Sequence, residues 1–470
     1  MKGKNNLNYL KNKMIKYLDG KKIVLLGFGK SNKAVASILD EFGIDFQIRD
    51  KNDCSEEIGK IKNSKVDFIC GEKYLHNLEF DIIFVSPGIR PDLPEFDDSL
   101  QKGAELSSEI DFFLKFCPTK NLIAVTGSDG KSTTTSLIYE ILKKSGKEVF
   151  IGGNIGIPII SQIEKISPSS YVVLELSSFQ LMSCNINPKI AVITNISENH
   201  LDWHKNFEEY IDSKFKIFKN QGKNDVLVCN FDNEFFKKIC SSCRSEIRKF
   251  SLKSVVDDGC YLDNNDIIFS KNGTKRIVLN KNDIAIPGNH NVENFMAAIL
   301  SCIDFVSVDD IKYVAENFKG LEHRIEFVDE INEVKYYNDS IASSPTRVVN
   351  GSLSVFHENI ILIAGGYDKN LDFTNFAKIV CDKVRILILI GQAAGKIEES
   401  IISVSAERKP KIFRSNSMAD AVNLAYCNSL KNDVVLLSPA CASFGMYKNF
   451  EERGNDFKTC VLNLRKVIRG

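Results

Sequence analysis

The chain has 470 residues, 43% of them hydrophobic, and its 61 basic and 61 acidic residues cancel. That length exceeds what one hydrophobic core organises, so two or three domains are expected. The balanced charge, with no block of one sign, argues against a nucleic-acid-binding surface as the main function.

The opening stretch "MKGKNNLNYLKNKMIKYLDG" lacks an apolar core of signal-peptide length, and no run, "RILILIG" included, is long enough to span a bilayer. A cytoplasmic protein with no membrane insertion is expected. Thirteen scattered cysteines suit reduced thiols better than a disulfide framework in a chain this long. Cys240 and Cys243 have C-x-x-C spacing, but with no second pair and no adjacent histidine they do not read as a zinc or redox site.

From "KKIVLLGFGKSNKAVASILDEFG" through "DFQIRD" to "FDIIFVSPGI" strands and helices alternate, which predicts a parallel sheet covered by helices. "GFGKSN" resembles the start of a dinucleotide fingerprint, with Gly27 and Gly29 in the turn, yet Asn32 stands at the third glycine position. Asp50 closes the next strand at about the ribose-binding distance.

A middle segment begins near Cys117 and Pro118. In "NLIAVTGSDGKSTTTSLIYEILKKSG", Leu122 to Val125 read as a buried strand, and Leu137, Ile138, Ile141 and Leu142 recur at helical spacing before Gly146. Between them Gly127, Ser128, Asp129 and Gly130 open onto a helix N-terminus, where unpaired N–H groups and the positive dipole end favour an anion. Lys131 can reach terminal phosphates, and Ser132 or Thr133 can reach Mg²⁺. Val125 stands where a full Walker A would place its first glycine, so this is a shortened P-loop.

Glu175 ends the apolar strand "YVVLE", at the sheet edge where open α/β sheets bind ligands, and can hold Mg²⁺ or orient its waters. A solvated strand-end glutamate is the bland alternative. His200 and His204 in "HLDWH" lack the glutamate and third ligand of a zinc pair. Lys214 lies in a charged amphipathic stretch, and the residues alone read it as a solvated surface lysine. "IPGNHNVENFMAAILSCI" reads as a loop running into a helix, and from "LEHRIEFV" onward a third segment alternates again.

The ordered set "VTGSDGKSTTT", "GGNIGIP", "ELSSFQL", "NISENHLDWH", "YIDSKFKIF", "GNHNVENFMAA", "LEHR", "NDSIASSPT", "GGYDKN" and "LLSPACASFGMYKNFEERGNDF" resembles the Mur ligases of peptidoglycan synthesis, most of all their D-glutamate-adding branch. The resemblance covers nearly the whole chain. It implies an α/β protein of three domains: a Rossmann-like UDP-substrate domain over 1–117, a central P-loop ATPase domain over 118–320, and a Rossmann-like amino-acid domain over 321–470. The implied activity is ATP-dependent addition of D-glutamate to UDP-N-acetylmuramoyl-L-alanine through an acyl phosphate, releasing ADP, by a monomer in cell-wall precursor synthesis.

Carried over by resemblance, Lys30, Ser31, Asp50, Gly88 and Asn154 match UDP-substrate positions. Lys131, Ser132, Asn291, Asn294, Arg324 and Asp339 match ATP positions. Glu175 and His200 match positions around two Mg²⁺ ions, and Lys214 matches a lysine that the family carbamylates. His323, at the boundary of the last domain, reads equally as a linker or a site residue. Many glutamate-adding relatives carry a lysine where this chain has Ile341, in "NDSIAS"; Lys369, Ser343, Ser443 and Phe450 are therefore expected to receive the amino acid. Three rivals are weighed. A folylpolyglutamate-type ligase would start near the P-loop, a diaminopimelate- or lysine-adding relative would carry an Asp-Asn-Pro-Arg-type motif, and a non-catalytic nucleotide-binding regulator would not need Glu175, Lys214 and "SPACAS" together.

Overall fold

The computed structural model describes residues 2–201, 203–369 and 371–469; Asp202 of "HLDWH" and Asn370 of "GGYDKN" lie outside the described residues. The chain forms two compact units. One runs to Ala285 and resumes over Asn289–Asn317, and the other comprises Ile286–Gly288 and the chain from Phe318 onward.

The first unit holds two sheets. In the first, β1 (Ile23–Leu26), β2 (Phe46–Asp50), β3 (Val66–Cys70), β4 (Ile82–Val85) and β5 (Glu105–Ser107) lie in the order β3-β2-β1-β4-β5, and all are parallel. The strands β1 and β4 are buried at every residue, which is why they read as unbroken apolar runs. Winding reverses between them, so the crevice expected of an open α/β sheet lies at their C-terminal ends.

The second sheet contains β6 (Leu122–Thr126), β7 (Val149–Gly153), β8 (Tyr171–Glu175), β9 (Ile190–Ile193), β10 (Val226–Asn230), β11 (Glu246–Ser251), β12 (Gly259–Asp263), β13 (Asp266–Lys271) and β14 (Thr274–Asn280), in the order β14-β13-β12-β11-β10-β9-β6-β8-β7. It is parallel from β7 to β12. An antiparallel meander, β12 to β14, then extends one edge. The strand–helix alternation read from the sequence does not foresee this meander, whose turns use left-handed Asn264 and the Asn272-Gly273 pair. The P-loop strand β6 lies between β8 and β9, so three strand ends converge on the loop.

The second unit holds β15 (Glu326–Ile331), β16 (Val334–Asn338), β17 (Ile360–Gly365), β18 (Val384–Ile390), β19 (Lys411–Ser415) and β20 (Val434–Leu437), ordered β15-β16-β20-β17-β18-β19. Only β15 is antiparallel. Because β20 is inserted between β16 and β17, the loops that follow these three strands emerge side by side at one sheet edge. Among the described residues no helix is long and apolar enough to cross a membrane.

Candidate active site

The glycine-rich loop after β6 is shaped by two glycines that no other residue could replace without displacement. Gly127 has φ 152°, and a Cβ there would lie 1.9 Å from Thr194 Oγ1; Gly130 has φ 78°, and its Cβ would lie 2.3 Å from Asn294 Oδ1. Both are positive-φ positions where a side chain is strained as well as blocked. The loop is pinned from below: the Ser128 amide donates to the Asn195 carbonyl (2.9 Å), the Asp129 amide to Asn195 Oδ1 (2.9 Å) and Thr194 Oγ1 to the Asp129 carbonyl (2.5 Å). Lys131 opens the helix Lys131–Lys144 and folds back so that Nζ donates to the carbonyls of Gly127 (2.9 Å) and Ser128 (2.7 Å). Ser132 and Thr133 follow in the helix's first turn. Asn291 and Asn294, buried on the helix Asn289–Cys302, are joined by an Asn294 Nδ2 to Asn291 Oδ1 bond (3.1 Å), and Thr134 donates to Asn294 Oδ1 (3.2 Å).

Glu175 is 1% exposed and not a solvated strand end. Its Oε1 accepts from Asn154 Nδ2 at 2.8 Å, while Oε2, also buried, has no hydrogen-bond partner. A buried carboxylate oxygen left open is costly unless a cation completes it. Lys214 corrects the surface reading more sharply. It is 1% exposed on the helix Phe207–Lys219 and donates to the Gly127 carbonyl at 2.7 Å. Burial first, and the nearby Lys131 charge second, drive its amine well below the usual lysine range, against the opposing pull of Asp129 and Glu175. Among the described residues no three His, Cys, Asp or Glu side chains group closely enough to hold a metal alone. The open Glu175 oxygen beside a phosphate loop nevertheless fits Mg²⁺, which shares its coordination sphere with phosphate oxygens and water.

His200 and His204 part company. His204 is 2% exposed, with Nε2 3.0 Å from Ser178 Oγ and Nδ1 3.4 Å from Glu209 Oε2; burial lowers its pKa. His200 is exposed, in a left-handed conformation (φ 56°), edge-on to Phe179 at 4.9 Å. They are therefore no zinc pair. Arg90, in the loop after β4, brings the first sheet to this region, donating to Glu209 Oε1 (2.9 Å), Asp92 Oδ1 (2.8 Å) and the Trp203 carbonyl (2.7 Å).

At the β1/β4 crevice, Asp50 accepts from the Phe28 amide (2.6 Å) and the Asn52 amide (2.7 Å), so its carboxylate braces the glycine turn. Lys30 is exposed and Ser31 half-buried at the start of the helix Lys30–Phe42, with Gly88 exposed after β4. Ser31 lines a cleft with Ser86, Pro87, Glu109, Phe179 and Gln180. Asn32 explains the broken fingerprint: its Nδ2 lies within hydrogen-bond reach of the carbonyls of Leu26 (3.0 Å), Gly27 (2.8 Å) and Phe84 (3.2 Å), joining helix and both strands where a glycine would merely allow close packing.

In the second unit, Asp339 is 4% exposed; burial pushes its carboxyl up to about 6, while the Ser438 hydroxyl, 2.9 Å away, opposes the shift. His323 is buried with Nδ1 2.9 Å from Asn338 Nδ2, and His323, Ile325 and Ala440 all adopt positive φ. For a β-branched residue such as Ile325 this is strain, of the kind found at ligand sites. Arg324, half-buried, lies between the first two. Exposed Ser343, exposed Lys369 and buried Ser443 sit on the loops after β16, β17 and β20, and Phe450 begins the helix Phe450–Arg469. Lys369 Nζ lies 5.5 Å from the centre of the Phe444 ring.

Three family models match the chain in order: "Mur ligase MurD-like, N-terminal domain" over 21–108, "Mur ligase middle domain" over 125–302, and "Mur ligase, glutamate ligase domain" over 323–441. A UDP-N-acetylmuramoylalanine--D-glutamate ligase of Acetivibrio thermocellus is 45% identical over 464 residues, spanning 97% of this chain and 99% of its own. The chain belongs to the Mur ligase family. The equivalent ligase of Clostridium tetani is 45% identical across 96% of this chain and 99% of its own. Among solved structures, the UDP-N-acetylmuramate-alanine ligase of Thermotoga maritima shares the fold at a TM-score of 0.58 and 19% identity, covering 95% of this chain and 100% of that one.

Several residues that build this candidate site were not visible as such in the sequence. Tyr210, 1% exposed, has its hydroxyl 2.8 Å from Ser128 Oγ, which also donates to the Ser197 carbonyl at 2.9 Å. Asn195 and Thr194, the floor of the loop from Gly127 to Gly130, follow β9 in a stretch whose only sequence signal is the Thr-Asn that ends an apolar run. Arg90 and Glu209 meet only through folding.

Proposed function

We propose that the chain ligates D-glutamate to UDP-N-acetylmuramoyl-L-alanine, converting ATP to ADP and phosphate. The observation that carries this reading is the meeting of Lys131 and Lys214 on the Gly127 carbonyl, with Glu175 and its open oxygen at the end of the adjacent strand β8. The relatives' identity to the chain, at 45% over nearly its full length, supports the acceptor and the amino acid.

The chemistry asks for little covalent help from the protein. The acceptor carboxylate attacks the γ-phosphorus of ATP, the bond to ADP breaks, and an acyl phosphate forms. The neutral amine of D-glutamate then attacks the acyl carbon, the carbon–oxygen bond breaks, phosphate leaves, and the proton lost from nitrogen passes to the departing phosphate or to solvent. Every partner is an anion, so positioning and charge neutralisation dominate. The amides and glycines of Gly127–Gly130 cradle phosphate, with Lys131 stabilising the terminal charge. Asn291, Asn294, Arg324 and Asp339 hold the nucleotide, with Arg324 adding positive charge.

Ser132, Glu175, His200 and Lys214 would hold Mg²⁺, two ions in all, which when bound would neutralise phosphate charge and polarise the γ-phosphoryl group under attack. Lys214 serves as its carbamate: the neutral amine adds to CO₂, the C–N bond forms and one proton is released, giving an anion that suits both Lys131 and the metal. Burial of Lys214 supports this, because only an unprotonated amine reacts. Lys30, Ser31, Asp50, Gly88 and Asn154 receive the UDP substrate, and Ser343, Lys369, Ser443 and Phe450 the amino acid. The domains are assigned to 1–117, 118–320 and 321–470, in a cytoplasmic monomer.

The test is phosphate release with ATP, Mg²⁺ and UDP-N-acetylmuramoyl-L-alanine in the presence of D-glutamate, L-glutamate, L-alanine or no amine. Release that depends on D-glutamate is expected. Equal release with every amine, or none, would refute the assignment.

A further inference from the structure

The helix Phe450–Arg469 carries a guanidinium into the interior of the second unit. Arg453 is 1% exposed, and its nitrogens donate only to neutral oxygens: Nε to Ser340 Oγ (3.0 Å), Nη2 to the Ser340 carbonyl (2.8 Å) and Nη1 to the Cys441 carbonyl (3.1 Å). Among the described residues no carboxylate forms an ion pair with it. Burial pulls the group down to about 10, so it stays charged at neutral pH. A cation taken out of water without an anion is costly, and its bonds to carbonyls offset only part of that cost.

The three acceptors are not scattered. Ser340 belongs to the loop after β16 and Cys441 to the loop after β20. A Cβ added at Gly366, in the loop after β17, would lie 3.3 Å from Arg453 Nη1 and 2.3 Å from the Ala442 carbonyl. These are the loops that carry Ser343, Ser443 and Lys369. The helix start is clamped to the same edge: Ser340 Oγ donates to the Phe450 carbonyl (2.8 Å), and a Cβ at Gly454 would stand 2.2 Å from His323 Nδ1. Ile341, in the first of these loops, offers no cation.

We propose that Arg453 is the positioning residue of the amino-acid site: it sets the loops bearing Ser343, Lys369 and Ser443 against one another, and its buried charge, with no carboxylate partner among the described residues, adds positive potential at that sheet edge for the dicarboxylic amino acid bound there. The inference rests on the D-glutamate reading above. In a buried setting a fixed charge acts on a ligand more strongly than a solvated one, because little water screens it.

The experiment compares Arg453→Lys, which keeps charge without the planar fork, with Arg453→Gln, which keeps a donor without charge, after circular dichroism and thermal melting confirm folding. For Arg453→Gln, KM for D-glutamate should rise about ten- to a hundredfold, with kcat at saturation and the KM values for ATP and UDP-N-acetylmuramoyl-L-alanine little changed. Arg453→Lys should recover part of the loss. Unchanged KM for D-glutamate, a Lys variant no better than the Gln variant, or a uniform fall in kcat alone would overturn the proposal. Should Arg453→Gln fail to fold, Ser340→Ala, which removes the Nε acceptor, must raise the same KM; a folded Ser340→Ala with normal KM overturns it. D-glutamate-dependent wild type with insensitive variants refutes this inference alone. A wild type that accepts only amino acids without a side-chain carboxylate refutes both readings.

Discussion

The Nζ atoms of Lys131 and Lys214 donate to a single carbonyl oxygen, that of Gly127, at 2.9 and 2.7 Å. Two ammonium groups sharing one acceptor in a buried setting repel each other, which favours the uncharged form of one of them. Lys214 is almost fully buried, and burial first and the Lys131 charge second disfavour its protonated form.

Lys214→Ala should be inactive and partly rescued by acetate or propionate, and a carbamate resonance from ¹³C-bicarbonate should be present in wild type and absent from the variant. The stability sign follows from the depressed amine. At pH values between its folded value and its usual one, the unfolded chain binds the proton and the folded chain does not, so stability rises with pH across that window and is lower below it. Lys214→Met should therefore melt at a higher temperature than wild type in CO₂-free neutral buffer. A lower melting temperature, with normal turnover, would return Lys214 to a purely structural role.

Lys131→Ala should lower kcat by about 10²–10³-fold, the usual consequence of removing a preorganised charge-stabilising donor. Calorimetric binding of UDP-N-acetylmuramoyl-L-alanine should be unchanged, since the β1/β4 crevice lies on a different sheet. Turnover within a few-fold of wild type would contradict the phosphate-loop assignment.

Glu109, which lines the cleft with Ser31, offers a test of how stability depends on pH. It is 2% exposed, accepts from the Ile160 amide at 2.8 Å, and burial pushes its carboxyl up to about 7. The folded chain thus holds a proton that the unfolded chain, titrating near 4.5, has lost. The stability from this group is full below about 4.5 and disappears as pH rises through 7. Glu109→Gln keeps the acceptor for Ile160 and should flatten the fall in melting temperature between pH 5 and pH 8; an unaltered pH profile would show that Glu109 does not titrate there.

Lys369→Met should raise KM for D-glutamate about ten- to a hundredfold, because a charge-assisted bond contributes roughly 1.5–3 kcal/mol and each 1.4 kcal/mol is tenfold. KM for ATP should move little. An unchanged D-glutamate KM would place the amino acid's carboxylate elsewhere.

Local chemistry by itself determined much of this protein. A glycine-rich loop between an apolar strand and an amphipathic helix points to an anion site, because the N–H groups and dipole are supplied by the backbone and the turn by Gly127 and Gly130. The apolar runs of β1, β4, β17 and β20 likewise announced parallel strands buried on both faces. Only tertiary structure decided the rest. Lys214 reads as a surface lysine in its own helix and becomes a buried amine because that helix packs against the loop after β6. Glu175 gains an open, dry oxygen only because β8 lies beside β6, and Arg453 looks like one more charge in "NFEERG" until the loops after β16 and β20 close over it. The helix periodicity that makes a charged residue appear exposed reports one element's own face, whereas burial and pKa depend on which other elements, distant in sequence, cover that face.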